Sequence, residues 1–156
     1  MSRDGTGHFV STDSGLLDLD FICAALAESY WARNRPRRVV ERSIENSLCF
    51  GLYETPGRRQ VGFARVVTDG ATVSWLCDVV VDARHRGRGL GKFLVSSVVA
   101  HPEVAATVCL LGTRDAHGLY ERFGFARSEL MKRLPAGGGP GPADAKRRRG
   151  RRAGRR

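Results

Sequence analysis

The chain has 156 residues and a formal net charge of +10, and 42% of its residues are hydrophobic. This length suits one domain with a single sizeable core, and no apolar stretch approaches the roughly 20 residues of a membrane span. The N-terminal residues contain no secretory signal and the four cysteines are widely spaced, so composition favours a soluble cytoplasmic protein without a disulfide framework, a metal site or a membrane partner.

The N-terminal third predicts one strand and two helices. The strand covers His8–Thr12, and the first helix covers the amphipathic run Leu16–Trp31. Pro36 fits the first turn of a second helix over residues 37–46, because its missing N–H would have no partner there anyway.

Three β-rich runs follow, at Leu48–Glu54, Gln60–Thr68 and Thr72–Val81. They are joined by Thr-Pro-Gly and Asp-Gly turns, which are typical of strands that pair with their sequence neighbours. This part of the chain therefore predicts an antiparallel meander.

Helices and strands alternate in the C-terminal half. A helix is predicted up to about Ala100, a strand over Thr107–Leu111, a short helix around Tyr120, and one or two closing strands over Phe125–Arg133. The fold class that follows is an α/β sandwich in which a mixed central sheet contains the meander and has flanking helices.

A basic, glycine-rich turn joins the third strand of the meander to the next helix, in the run Arg86-Gly-Arg-Gly-Leu-Gly91. Glycines lack Cβ, so successive backbone N–H groups can crowd around an anion, and the helix N-terminus adds about half a positive charge. The spacing fits neither the phosphate-binding loop of nucleoside triphosphatases nor the dinucleotide fingerprint. The run predicts a site for a pyrophosphate.

Arg86, Gly89 and Gly91 match the signature Arg/Gln-x-x-Gly-x-Gly/Ala, and the run resembles that of the GNAT superfamily of N-acetyltransferases. A second run, Val108–Phe125, resembles the family's strand and short tyrosine-bearing helix that end in Gly-Phe. The resemblance covers roughly Cys49–Arg127. It implies transfer of an acetyl group from acetyl-CoA to a primary amine of a small molecule or peptide, by direct attack on the thioester.

The resemblance also implies where acetyl-CoA would bind. The loop amides would hold its diphosphate, and the main chain of the preceding strand would hold pantetheine like an added strand. The cofactor-binding residues expected on this basis are Val79, Val81, Arg86, Gly87, Arg88, Gly89, Leu90, Gly91, Lys92 and Asp115.

Two residues are expected to be catalytic. Tyr120 stands at the position of the family's tyrosine, and a phenol with a reference pKa of about 10 can donate a proton to the departing thiolate. Asp78 follows Cys77 where glucosamine-phosphate acetyltransferases of the superfamily have an acidic pair, which puts sugar-phosphate specificity in doubt. Asp78 is a candidate base, or orients the amine, or bonds to neighbouring backbone; a water-relayed deprotonation needs no dedicated side chain.

The acceptor site is expected near the first two helices, where Tyr30, Trp31, Arg33 and Arg35 form an aromatic and basic wall. Tyr30 and Trp31 are the expected substrate-binding residues, and the alternative for both is core packing on the first helix. Such a wall suits an amine that carries an apolar or anionic group better than it suits a polycation. A monomer and a homodimer are both compatible with the sequence.

Basic residues are concentrated at the C-terminus. Residues 135–156 contain a Gly/Pro linker and an Arg-rich segment with a net charge of +7, which leaves +3 for the predicted domain over residues 1–134. With no large apolar residue after Leu134, this tail is predicted to be disordered and could bind nucleic acid or another polyanion non-specifically. The alternative function is therefore a non-catalytic acyl-CoA-binding module whose tail docks on nucleic acid, although Tyr120 favours catalysis.

Overall fold

The structure is a computed structural model that describes residues 2–3, 5 and 7–135. The chain divides after Phe125 into two units, residues 1–125 and residues 126–156. In the second unit, the described residues 126–135 form no helix and no strand, so the prediction of closing strands was wrong for them. The two large apolar neighbours in this segment, Leu130 and Met131, would point to opposite faces of a strand and do not alternate with polar residues. The basic tail, residues 136–156, lies outside the described residues.

The described residues of the first unit form one six-stranded sheet, with the strands in chain order. The strands are β1 (Ser2–Arg3), β2 (His8–Ser11), β3 (Leu48–Glu54), β4 (Gln60–Thr68), β5 (Val73–Val81) and β6 (Val108–Leu111). Neighbours from β1 to β5 are antiparallel, whereas β6 pairs with β5 in parallel. The predicted meander over β3, β4 and β5 is confirmed.

Helices cover both faces of this sheet. They are α1 (Leu19–Ala27), α2 (Arg37–Glu45), α3 (Leu90–Val99), α4 (Pro102–Ala105) and α5 (His117–Tyr120). On one face Leu94 and Val98 of α3 pack with Phe50 of β3, and on the other Ile22 of α1 packs with Val40 of α2. The α/β sandwich with a mixed central sheet is confirmed.

Helix α1 covers Leu19–Ala27 and is therefore shorter than the predicted helix over Leu16–Trp31. The Asp18 carboxylate caps α1 by accepting the N–H of Phe21, and the N–H of Asp18 donates to Gln60 Oε1 at 2.6 Å. The helix ends at Ala27, and the turns that follow contain Tyr30 and Trp31. These two aromatic residues are therefore on a connection between helices and not on the apolar face of α1.

A β-bulge interrupts the pairing of β4 with β5. Phe63 pairs with Val80 and Arg65 with Cys77, so the single residue between Phe63 and Arg65 faces two residues of β5. One of the two, Asp78, has φ of 52°, in the left-handed region that is uncommon for residues other than glycine.

The bulge changes which side chains of β5 lie on each face of the sheet. Leu76 packs in the core beneath α3, but Val80 packs in the core beneath α1 and α2. Two residues four positions apart in a regular strand would share a face. The extra residue at 78 therefore moves the end of β5 into the opposite orientation, where Val79 and Val81 pack on the α3 side.

No helix among the described residues is long and apolar enough to cross a membrane. The same residues contain no group of three or more His, Cys, Asp or Glu side chains that could hold a metal ion.

Candidate active site

The loop between β5 and α3 has the geometry of an anion-binding turn. Gly87 and Gly89 have φ of 75° and 81°, which glycine adopts without strain, and Gly89 is the N-cap of α3. In the described part of the chain, none of the backbone N–H groups of residues 87–92 donates to another protein group. Five of these residues, Gly87 and residues 89–92, line an open hollow of about 400 Å³. Such a row of free N–H groups at a helix start can bind a phosphate.

The basic side chains of this loop have different environments. Arg86 Nε donates to the carbonyl oxygen of Val81 at 3.0 Å, which ties the loop to the end of β5. Arg88 and Lys92 are exposed. The main chain of the loop is therefore the fixed part of this site.

Beside the loop, β5 has an open edge. Its pairing with β6 ends at Leu76, which lies opposite Leu111, so residues 77–81 have no strand on that side in the described part of the chain. Val79 and Val81 belong to this open stretch and line a cavity of about 400 Å³. Free N–H and C=O groups along a strand edge can pair with an extended ligand that contains amides.

The cavity and the hollow form one trench. Val81, Gly91 and Leu119 line both of them. A Cβ built on Gly91 would meet no protein atom within 4 Å, so a side chain there would occupy the trench and leave the surrounding packing unchanged. An elongated ligand with an anionic end and an extended middle fits this arrangement.

Tyr120 lies in the wall of the cavity and is only 9% exposed. Its ring packs edge-to-face on Phe125, with the ring centroids 5.8 Å apart. Burial, with smaller contributions from Tyr30 and Asp115, raises the pKa of Tyr120 to about 12. The phenol therefore keeps its proton at neutral pH.

Asp78 is buried in the cavity wall beneath two arginines. Its Oδ2 accepts from Arg35 Nη1 at 2.7 Å and from Arg65 Nε at 2.9 Å, and its Oδ1 accepts from Trp31 Nε1 at 3.1 Å. Burial alone would raise the pKa of Asp78, but the two guanidinium groups outweigh burial and lower it below its ordinary value. An ionised carboxylate whose oxygens are all occupied is a weak proton acceptor.

Tyr30 and Trp31 also line the cavity, and their rings meet edge-to-face with centroids 4.9 Å apart. The Tyr30 hydroxyl accepts the backbone N–H of Arg114 at 3.0 Å, and the Arg114 guanidinium lies 3.9 Å from the centre of the Tyr30 ring. These contacts connect the turn after α1 to the loop after β6. The two aromatic residues form part of the cavity wall and belong to neither core cluster.

The structure brings some of the other predicted site residues to the cavity and leaves one of them outside it. Arg35 lines the cavity, but Arg33 is exposed and does not. Asp115, which was expected to bind the cofactor, lines the cavity as well.

The cavity residues that were missed in the sequence include Arg65 and Trp75. Arg65 had a signal, since it is a charged residue in the middle of an apolar strand and a buried charge needs a partner. Its partner Asp78 could be found only through the register of β4 with β5. Trp75 had no such signal, because an aromatic residue is ordinary in a strand.

Comparisons with known proteins agree with this geometry. Residues 45–127 match the family model described as an acetyltransferase (GNAT) domain. A crystal structure of a protein belonging to the GNAT family, from Xanthomonas campestris pv. campestris, is 44% identical, covers 81% of this chain and 92% of that one, and superposes with a TM-score of 0.76.

Two curated proteins are similar over shorter shares of their length. A Gibberella zeae protein that carries an acetyltransferase name is 33% identical over 106 residues, which are 56% of this chain and 60% of that protein. The uncharacterized N-acetyltransferase ycf52 of Gracilaria tenuistipitata var. liui is 29% identical over 115 residues, 70% of this chain and 61% of that protein. The chain thus spans about 60% of the length of these relatives. Because the family model covers more than half of the chain and the Xanthomonas relative matches most of it, the chain belongs to the GNAT family of acetyltransferases.

Proposed function

We propose that the chain transfers an acetyl group from acetyl-CoA to a primary amine of a small molecule or peptide. The observation that carries this proposal is the single trench, in which free loop amides, an open strand edge and a buried tyrosine follow one another. The loop amides of residues 87–92 would hold the diphosphate. The open edge at Val79 and Val81 would pair with the amides of pantetheine and bring the thioester into the cavity.

Acetyl transfer then needs one bond to form and one to break. The neutral amine nitrogen attacks the thioester carbonyl carbon, the C–S bond breaks, and its electron pair leaves on sulfur. Tyr120 would give its hydroxyl proton to this sulfur and regain a proton from solvent. Its high pKa makes it a weak acid, but the same pKa ensures that the proton is present when the thiolate forms.

The acceptor amine must lose a proton in the same reaction. Asp78 is a poor base for this step, because two arginines stabilise its charged form and its side chain is only 2% exposed. We assign Asp78 a positioning role, in which it holds Arg35 and Arg65 in the cavity wall. The proton leaves through water.

A thiol-release assay tests the proposal. The chain is mixed with acetyl-CoA and a panel of amines, and the free thiol of CoA is followed with time. We expect release that depends on both an amine and the protein, and an acetylated amine by mass spectrometry. Acetyl-CoA binding without turnover of any amine would favour the alternative, a non-catalytic acyl-CoA-binding module.

A further inference from the structure

The cluster around Asp78 has more positive charge than the carboxylate needs. Arg35 and Arg65 bring two positive charges to one negative charge, and all three residues line the cavity. The fourth charged residue of the lining, Asp115, is exposed on the loop after β6, where water screens its charge. The buried part of the wall therefore has a net charge of +1.

Both arginines also have unused hydrogen-bond donors. A guanidinium has five N–H donors. In the described part of the chain, Arg35 uses only Nη1, for Asp78, and Arg65 uses Nε for Asp78 and Nη1 for Ser47 Oγ. Arg35 and Arg65 are 22% and 12% exposed in their side chains, so ligands in the cavity can reach what little is uncovered.

Asp78 itself is closed to a ligand. Both of its oxygens accept hydrogen bonds from the protein, and its side chain is 2% exposed. An ammonium group would find almost no accessible surface on this carboxylate. The cluster favours an anion. An anion would accept hydrogen bonds from the unused N–H donors of the arginines and would neutralise the excess positive charge.

We propose that the acceptor is an amine that also carries an anionic group, a carboxylate or a phosphate, which Arg35 and Arg65 bind in the cavity. The inference rests on the proposed function, since it names the substrate class of the same site. The rings of Trp31 and Trp75, which line the cavity beside the arginines, suit an acceptor whose remaining part is apolar.

Matched pairs of amines test the inference directly. Phenylalanine and phenethylamine differ by a carboxylate, and O-phosphoethanolamine and ethanolamine differ by a phosphate. We expect kcat/KM for the anionic member of at least one pair to exceed that of its neutral partner by about tenfold or more, the effect of a hydrogen-bonded charge. The pair that shows the larger ratio identifies the anion. Equal values in both pairs, or a preference for the neutral amines, would overturn the inference while leaving acetyl transfer in place.

A variant assigns the preference to the wall. Arg35→Gln removes one positive charge but leaves Arg65 as a partner for Asp78, so the fold should survive, which a thermal melt checks. We expect kcat/KM to fall by about tenfold or more for the anionic amine, the effect of losing a hydrogen-bonded charge, and by a clearly smaller factor for its neutral partner. Arg33→Gln is the matched control, because Arg33 is exposed on the same connection and outside the cavity; it should change neither value. Equal effects of the two variants would contradict the inference.

A binding measurement separates this inference from the proposed function. N-acetylphenylalanine and N-acetylphenethylamine are titrated calorimetrically into the protein saturated with CoA, and the phosphate pair is treated in the same way. Tighter binding of an anionic product supports the inference even if no amine is acetylated, a result that would count against the proposed function alone. No difference in affinity, including no binding of either member, would overturn the inference.

Discussion

The two ends of the trench are built from different chemical groups. At the loop end, Gly87 and residues 89–92 line the hollow, their backbone N–H groups bond to no described protein group, and their positions depend on the local turn. At the acceptor end, the side chains Trp31, Arg35, Arg65 and Asp78 meet from separate segments of the chain. The loop end should therefore tolerate changes of side chain, except where added bulk fills the trench. The acceptor end depends on the identity of each side chain and on the strand register that brings these side chains together.

The largest effect is expected in the wall of the cavity, from Tyr120→Phe. Loss of the hydroxyl removes the proton donor for the thiolate, so turnover should fall by about 10²–10⁴-fold, while affinity for acetyl-CoA stays the same. Steady-state kinetics and calorimetry measure the two quantities. Tyr53→Phe is the control, since Tyr53 is fully buried, does not line the cavity, and its hydroxyl has no hydrogen-bond partner among the residues that the structure describes. A loss of tenfold or less would assign Tyr120 to packing.

The acceptor end should be sensitive to charge, which Asp78→Asn tests. Asparagine tolerates the left-handed backbone, so the change mainly leaves two buried guanidinium groups without their counter-charge, at a cost of about 3–5 kcal/mol. Denaturant unfolding measures this loss. Asp20→Asn is the control, because the Asp20 pair with Arg37 is exposed and should cost at most about 1 kcal/mol.

The ion pairs of Asp78 also predict that the stability of the chain depends on pH. The pKa of Asp78 is lower in the folded protein than in the unfolded chain, so its ion pairs add stability above the unfolded pKa of about 3.9, and that contribution is lost as the pH falls through the folded pKa. Stability of the original chain should therefore fall toward acid pH more steeply than that of Asp78→Asn. Parallel curves would show that Asp78 is not the carboxylate that titrates there.

The loop end should be sensitive to volume, which Gly91→Val tests. Gly91 does not have a positive φ and a Cβ there has open space, so the fold should remain intact while the valine fills the trench. Affinity for CoA should fall more than tenfold by calorimetry, with an unchanged circular dichroism spectrum. Ala100→Val, which places the same side chain just after α3, is the control. Unchanged affinity in Gly91→Val would refute the diphosphate site.

The smallest effect on catalysis is expected from removal of the tail after Leu134. Acetyl transfer to a small amine and thermal stability should stay the same, because the removed residues include no large apolar side chain. Any binding of DNA or RNA should be lost with the tail, and binding by the full chain should weaken steeply with salt and show little sequence preference. A truncated chain that kept salt-sensitive nucleic-acid binding would contradict this boundary.

Sequence alone predicted the meander and the glycine loop, because alternation and turn residues are local signals. It failed where the structure depends on long-range pairing. The contact that holds Asp18 at the start of α1 and the ion pair of Asp78 with Arg65 both involve β4, and composition and spacing do not contain such contacts. The closing strands over Phe125–Arg133 were predicted from propensity and are absent from residues 126–135.

The bulge at Asp78 has a consequence for any engineering of this chain. Before the bulge the even-numbered Leu76 lies on the α3 side of β5, whereas after it the odd-numbered Val79 and Val81 lie on that side. Deleting residue 78 would restore regular pairing with Val79, Val80 and Val81 on their present faces, but it would remove the carboxylate that Arg35 and Arg65 share. A regular strand could therefore carry the three valines but not Asp78 between them, so grafting this acceptor site onto another sheet would require the extra residue to be moved with it.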